Sequence, residues 1–135
     1  MKGYRNMEAE KLTMEVLSGK YGVCRLEKDS PIPQWALKGD FFSITKTSDE
    51  LSVVCSEGNI PGDIRCEKDW KILKILGPLD FALTGILASV SAILARAEIS
   101  IFALSTYDTD YILVKDKDVV RAMAELNSEG YDFIS

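Results

Sequence analysis

The stretch Ser100-Ile-Phe-Ala-Leu-Ser-Thr-Tyr-Asp-Thr-Asp-Tyr-Ile-Leu-Val114 is rich in β-branched and aromatic residues on both sides of a three-residue polar break. It predicts a strand from Ser100 to Thr106, a turn at Tyr107 to Thr109 and a returning strand from Asp110 to Lys115. Just before it runs an apolar segment, Gly77 to Ala97, that holds Thr84, Gly85, Ser89 and Ser91. Its continuous part, Phe81 to Ala95, is shorter than the ~20 residues that cross a bilayer, so it is expected to be a core helix. Ala82, Ile86, Ile93 and Ala97 form one stripe on that helix, and Leu83, Leu87, Val90 and Leu94 form another. A helix apolar on several sides must be covered on several sides, by its own sheet and by a second domain or subunit.

The flanking segments complete a pattern. Trp70 to Leu76 alternates like a strand and ends at Gly77-Pro78, where Asp80 is placed to cap the helix start. Asp116 to Glu129 carries Val119, Val120, Met123 and Leu126 at helical spacing, with Gly130 as a stop and Tyr131 to Ile134 as a last strand. The order β-α-β-β-α-β predicts an α+β fold in which two helices cover one face of a four-stranded antiparallel sheet, the ferredoxin-like split unit.

The front half reads as a worn copy. A slide of 60 positions lays Thr45–Val54 on Ser105–Val114, and one of 58 lays Leu12–Gly19 on Trp70–Gly77. Pro31 and Pro33 leave room for about two helical turns near Gln34 to Lys38, and Ser56 to Gly62 holds turn residues where the other copy has its second helix. Two tandem units are expected, a partly degenerate one over residues 12–62 and an intact one over 69–135, joined near Pro61 to Asp69.

Composition removes several functions. A formal net charge of -5 over 135 residues gives no basic face for nucleic acid or an anionic membrane. There is no histidine, which removes the usual neutral-pH general base and the commonest metal ligand. Cys24, Cys55 and Cys66 are odd in number and widely spaced, which fits thiols of a cytoplasmic protein better than a zinc site or a disulfide framework. Met1 to Lys11 lacks the apolar core of a signal peptide. No cofactor or metal is expected.

Phe41-Phe-Ser-Ile-Thr-Lys-Thr together with Ile99 to Val114 resembles the tandem ACT domains of the CASTOR arginine-sensor proteins and their smaller bacterial relatives. The resemblance covers Leu12 to the end and corresponds to the amino-terminal half of the sensors, so it implies a homodimer that restores four ACT units. It also implies a regulatory module that binds a small-molecule amino acid without changing it and acts on a partner protein that the sequence does not name. Elementary chemistry agrees that such a site is possible. The unpaired N–H groups of a helix start suit an α-carboxylate, here around Phe81, Thr84 and Gly85. Asp110 and the carbonyls of Thr106 and Tyr107 suit an α-ammonium. By the resemblance, Ser100 and Ile101 touch ligand from one unit, and Gly85, Thr106, Tyr107 and Asp110 from the other. Asp80 and Leu83 stand where the sensors have a glycine and a glutamate that reads arginine. The loss of that carboxylate counts against arginine as the ligand.

Ordinary roles compete with these. Asp108 and Asp110 suit any hairpin turn, Tyr107 and Tyr111 suit packing, and Asp80 suits a helix cap. An interaction or dimerisation module with a vestigial site is the alternative function. A small enzyme is disfavoured, because neither a phosphate loop nor a nucleophile elbow occurs.

Overall fold

The computed structural model describes residues 13–76 and 85–134. They form strands β1 (Thr13–Val16), β2 (Tyr21–Leu26), β3 (Ser43–Lys46), β4 (Leu51–Ser56), β5 (Cys66–Ile75), β6 (Ile101–Ser105), β7 (Asp110–Lys115) and β8 (Asp132–Ile134). Two α-helices join them, α1 (Ile86–Arg96) and α2 (Val119–Ser128). The fold is α+β, with two ferredoxin-like units in tandem. One comprises residues 19–70, and the other residues 13–18 with 71–134.

In the first unit, β2 pairs antiparallel with both β4 and β5, and β4 pairs antiparallel with β3. The sheet order β3-β4-β2-β5 is that of a split β-α-β-β-α-β unit with β2 as its first strand and β5 as its last. Both helices of that plan are reduced to single 3-10 turns, Gln34–Leu37 and Glu57–Asn59. Pro33 caps the first of these with φ -74°, a value its ring dictates. The core consists of Cys24, Ala36, Leu51, Val53, Cys55 and Ile60, with Trp35 and Ile64 packed against it.

In the second unit, β6 and β7 form the hairpin expected from the polar break, in the register Ile101↔Val114 to Ser105↔Asp110. β7 pairs with β5, and β5 pairs antiparallel with β1 through Met14↔Ile75. β1 in turn pairs parallel with β8 through Thr13↔Asp132. The last strand of the unit therefore reaches the sheet through β1, which fills the place beside β5 that β8 would take in a plain split unit.

This arrangement changes the reading of the 58-position match. β1 is the pairing partner of β5 rather than its counterpart in a first copy, and the counterpart is β2, which that match passes over. Alternation alone does not separate the two cases: Met14 points into the same core as Leu73 and Ile75, and all three are fully buried. The 60-position match lays β3 and β4 on β6 and β7, which hold equivalent places in the two sheet orders. Residues 13–18 pack with the second unit, whereas a division at 12–62 and 69–135 places them with the first.

Both apolar stripes of α1 are used inside the second unit, where Ile86, Val90, Ile93 and Leu94 are buried against Met14, Leu73, Ile75 and Ile112. The outward positions Ala88, Ala92 and Ala95 are exposed. The helix is apolar nearly all round because its open side is alanine. Alanine leaves little area to cover, so a second covering layer is not required by this helix.

Candidate functional site

The hairpin turn is fixed from within. The Thr106 N–H donates to the Thr109 carbonyl at 2.8 Å and its hydroxyl to the same carbonyl at 3.2 Å, while the Thr109 N–H donates back to the Thr106 hydroxyl at 3.3 Å. One further bond ties the turn to the sheet. Thr109, only 4% exposed, donates its hydroxyl to the Ile75 carbonyl at 2.6 Å. The turn is thereby held at the carboxyl end of β5. Residues 77–84 follow that same end, and α1 starts immediately after them.

At the start of α1, Gly85 is the N-cap residue, with φ 83° and ψ 0°. That left-handed conformation costs a side-chain-bearing residue about 1–2 kcal/mol and costs glycine nothing comparable. Gly85 is exposed, and its carbonyl accepts the Ser89 N–H at 2.7 Å. The N–H groups of the first helical turn have no intrahelical acceptor, so this end is suited to an anion.

Across the hairpin, Ser105 donates its hydroxyl to Asp110 Oδ1 at 2.5 Å. A carboxylate has about four acceptor positions on two oxygens, so Asp110 Oδ2 retains acceptor capacity. Tyr107 at the tip is 82% exposed, so the chain itself does not bury its ring. Thr106, Tyr107 and Asp110 thus belong to one end of the second unit, and Gly85 opens the helix whose far end, Ala97, lies four residues before the start of β6.

Ser100 and Ile101 belong to the other end. They stand at the start of β6, and the five residues Ile101–Ser105 advance the chain by about 17 Å at ~3.3 Å each. Ser100 is exposed and Ile101 half-buried. Asp80, Phe81, Leu83 and Thr84 lie outside the described residues. Thr109 is the residue that sequence reasoning missed, having been counted as part of the polar break. Its signal was a β-branched residue at the mouth of a strand, where a hydroxyl can bond a neighbouring strand's carbonyl.

Among the described residues, no group of three or more His, Cys, Asp or Glu side chains is placed to hold a metal ion, and no helix is long and apolar enough to cross a membrane.

A family model for the ACT domain matches residues 65–128, from β5 to the end of α2 with the turn inside it. A model described as an N-terminal domain matches residues 19–63, the span of the first unit up to β5. Residues 65–128 are an ACT domain. Among curated proteins, this ACT protein is 33% identical over 90 residues to the cytosolic arginine sensor for mTORC1 subunit 1 of Bos taurus, which covers 58% of the chain. The chain spans only 27% of that sensor's length. A crystal structure of an Agobacterium tumefaciens protein is 40% identical, with a TM-score of 0.87 over 92% of both chains. The regulatory subunit of aspartate kinase from Thermus thermophilus shares the fold with a TM-score of 0.56 at 11% identity, over 88% of this ACT chain and 94% of its own.

Proposed function

We propose that this ACT protein is a non-catalytic regulatory module that binds a free amino acid as a homodimer and passes the signal to a partner protein. The observation that carries this reading is the turn tied to Ile75 by Thr109, which holds Asp110 at the carboxyl end of β5. Asp110 Oδ2 and the carbonyls of Thr106 and Tyr107 receive the α-ammonium. The N–H groups at the start of α1 receive the α-carboxylate, with Asp80, Phe81, Leu83 and Thr84 setting side-chain preference beside Gly85. Such contacts hold a ligand by its two charged groups, and on this reading the module binds its ligand without turning it over.

The dimer reading rests on the resemblance together with reach. A ligand at the turn is too small to extend the ~17 Å to the start of its own β6, so Ser100 and Ile101, which the resemblance sets against ligand, would come from a second copy. β6 pairs only with β7 among the described strands, and its outer edge is where a symmetric copy would approach.

Thermal-shift and calorimetric titration of the protein, stripped of ligand by unfolding and refolding, tests the binding reading. At least one common amino acid should stabilise it, and Asp110→Ala should remove that stabilisation while leaving the ligand-free melting point nearly unchanged. Stabilisation by none of them sinks the sensor reading. Sedimentation at high micromolar concentration should give twice 15.0 kDa; a monomer would exclude a site shared between copies.

A further inference from the structure

The first unit gathers all three cysteines of the chain on one face of its sheet. Cys24 on β2 lies directly opposite Cys66 on β5. The next residue pair carries a ladder bond, from the Arg25 N–H to the Arg65 carbonyl at 3.0 Å. Cys24 and Cys66 therefore occupy the adjoining non-hydrogen-bonded position, where Cα atoms of antiparallel strands approach to about 4.5 Å. That separation falls within the roughly 4.4–6.8 Å that a disulfide spans.

The side chains agree with the backbone. The Cys66 thiol is near enough to Cys24 to help raise the Cys24 pKa. The Cys66 sulfur also lies over Gly22, where an added Cβ would stand only 2.8 Å from it. Gly22 is thus the space that lets the sulfur turn inward toward Cys24. Accessibility differs among the three: Cys24 is 2% exposed, Cys55 is fully buried, and Cys66 is half-buried. An oxidant in solution reaches Cys66 first, and Cys24 is already beside it.

We propose that Cys66 and Cys24 are an oxidisable pair, with Cys66 the thiol that reacts with a hydroperoxide and Cys24 the thiol that resolves it into a cross-strand disulfide. In the first step the Cys66 sulfur attacks a peroxide oxygen and the O–O bond breaks. The thiol proton leaves with the departing hydroxide as water, and Cys66 becomes a sulfenic acid. In the second step the Cys24 sulfur attacks the Cys66 sulfur, the S–O bond breaks, and a second water leaves with the Cys24 proton. Two thiols lose two electrons, and one hydroperoxide gains them. The product clamps the first and last strands of the unit together, and a dithiol reductant reverses it.

Burial keeps the Cys24 thiol well above its ordinary range and pushes Cys55 up to about 11. Neither is an easy first target, because the thiolate is the reactive form. Their role is set by place: Cys24 resolves because it touches Cys66, and Cys55 stays reduced.

The test treats the purified full chain with a modest excess of hydrogen peroxide, followed by thiol titration, intact mass and peptide mapping. The expected result is loss of two of the three thiols, a mass lower by two hydrogens, a Cys24–Cys66 link, and full recovery with dithiothreitol. Cys55→Ala should form the same link. Cys24→Ser should leave a Cys66 sulfenic acid that dimedone traps, and Cys66→Ser should protect Cys24 from peroxide. The proposal fails if peroxide leaves all three thiols intact. It fails equally if Cys66 gains oxygen while Cys24 stays free, or if the link involves Cys55 or joins two chains. Should Cys24→Ser not fold, the Cys66→Ser and Cys55→Ala arms decide alone.

Discussion

Glu98 holds a conformation that its side chain resists. It sits just past α1 with φ 60°, and the bonds around it run from the Ile99 N–H to the Leu94 carbonyl at 3.0 Å and from the Glu98 N–H to the Ala95 carbonyl at 2.9 Å. This is the Schellman closure, in which the left-handed position is ordinarily glycine. α2 closes in the same way, with Gly130 at φ 100° and the Tyr131 N–H on the Leu126 carbonyl at 3.1 Å. Glu98→Gly should therefore stabilise the protein by about 0.5 to 1 kcal/mol, after allowing for the greater freedom glycine has when unfolded. Urea denaturation measures it, and a loss of stability would mean that the carboxylate contributes more than the backbone strain costs. Thr109 gives the opposite case. Thr109→Val keeps the shape and removes the hydroxyl on the Ile75 carbonyl, which should cost about 1 to 2 kcal/mol, whereas Thr109→Ser should retain most of it. If valine proves neutral, the hydroxyl bond to Ile75 does not hold the turn, and the argument that Thr109 positions Asp110 falls with it.

At the level of elements, what the sequence reveals depends on whether a segment's neighbours share its pattern. The hairpins β3–β4 and β6–β7 and the Gly130 stop are legible because their signals are local: β-branched runs, polar turn residues, a helix terminator. β2 is not. Tyr21-Gly-Val-Cys-Arg-Leu26 has a glycine at its second position, and its pairing with β4 and β5 makes it a strand. That glycine is required by packing. A Cβ on Gly22 would stand 2.5 Å from Ile60 Cδ1 and 2.8 Å from Cys66 Sγ, so both side chains must move to admit it. Gly22→Ala should cost about 1 to 3 kcal/mol as an overpacked core site, and Gly22→Val more. A neutral Gly22→Ala, read by urea midpoint, would mean that β2 shifts away from its cover at little expense. The candidate site divides in the same manner. Asp110 and Thr106 are readable from turn chemistry, whereas the tie through Thr109 is not, because the carbonyl it needs belongs to Ile75, a distant residue brought close by the β5–β7 pairing.

For the molecule as a whole, the two units differ in how they are built, and pH is a means of reaching one of them. The second unit covers its sheet with two helices, and the first covers its own with two single turns and a core that includes two buried thiols. Burial raises Tyr21 above its ordinary 10.0, with the Asp40 carboxylate adding to it. Burial also raises Cys24 and Cys55 above 9.0; Cys66 adds to both, and Lys68 partly offsets the rise at Cys24. All three groups lie within residues 19–70. In each, the folded state holds a proton that the unfolded chain releases at lower pH. Their contribution to stability is thus complete below about pH 9 and is lost as pH rises through the folded values, about 11 for Cys55 and higher for Cys24. Trp35 and Trp70 are the only tryptophans and both belong to the first unit, so their fluorescence reports on it selectively. In the presence of reductant, the urea midpoint of that signal should hold nearly level from about pH 7.5 to about pH 9 and then fall toward about pH 10.5. A Cys24→Ala, Cys55→Ala double variant should show a shallower decline, with the Tyr21 part remaining. A midpoint independent of pH across this range would mean that the thiols ionise as readily in the folded unit as in the unfolded chain, and that the core around Cys24, Cys55 and Cys66 is open to water.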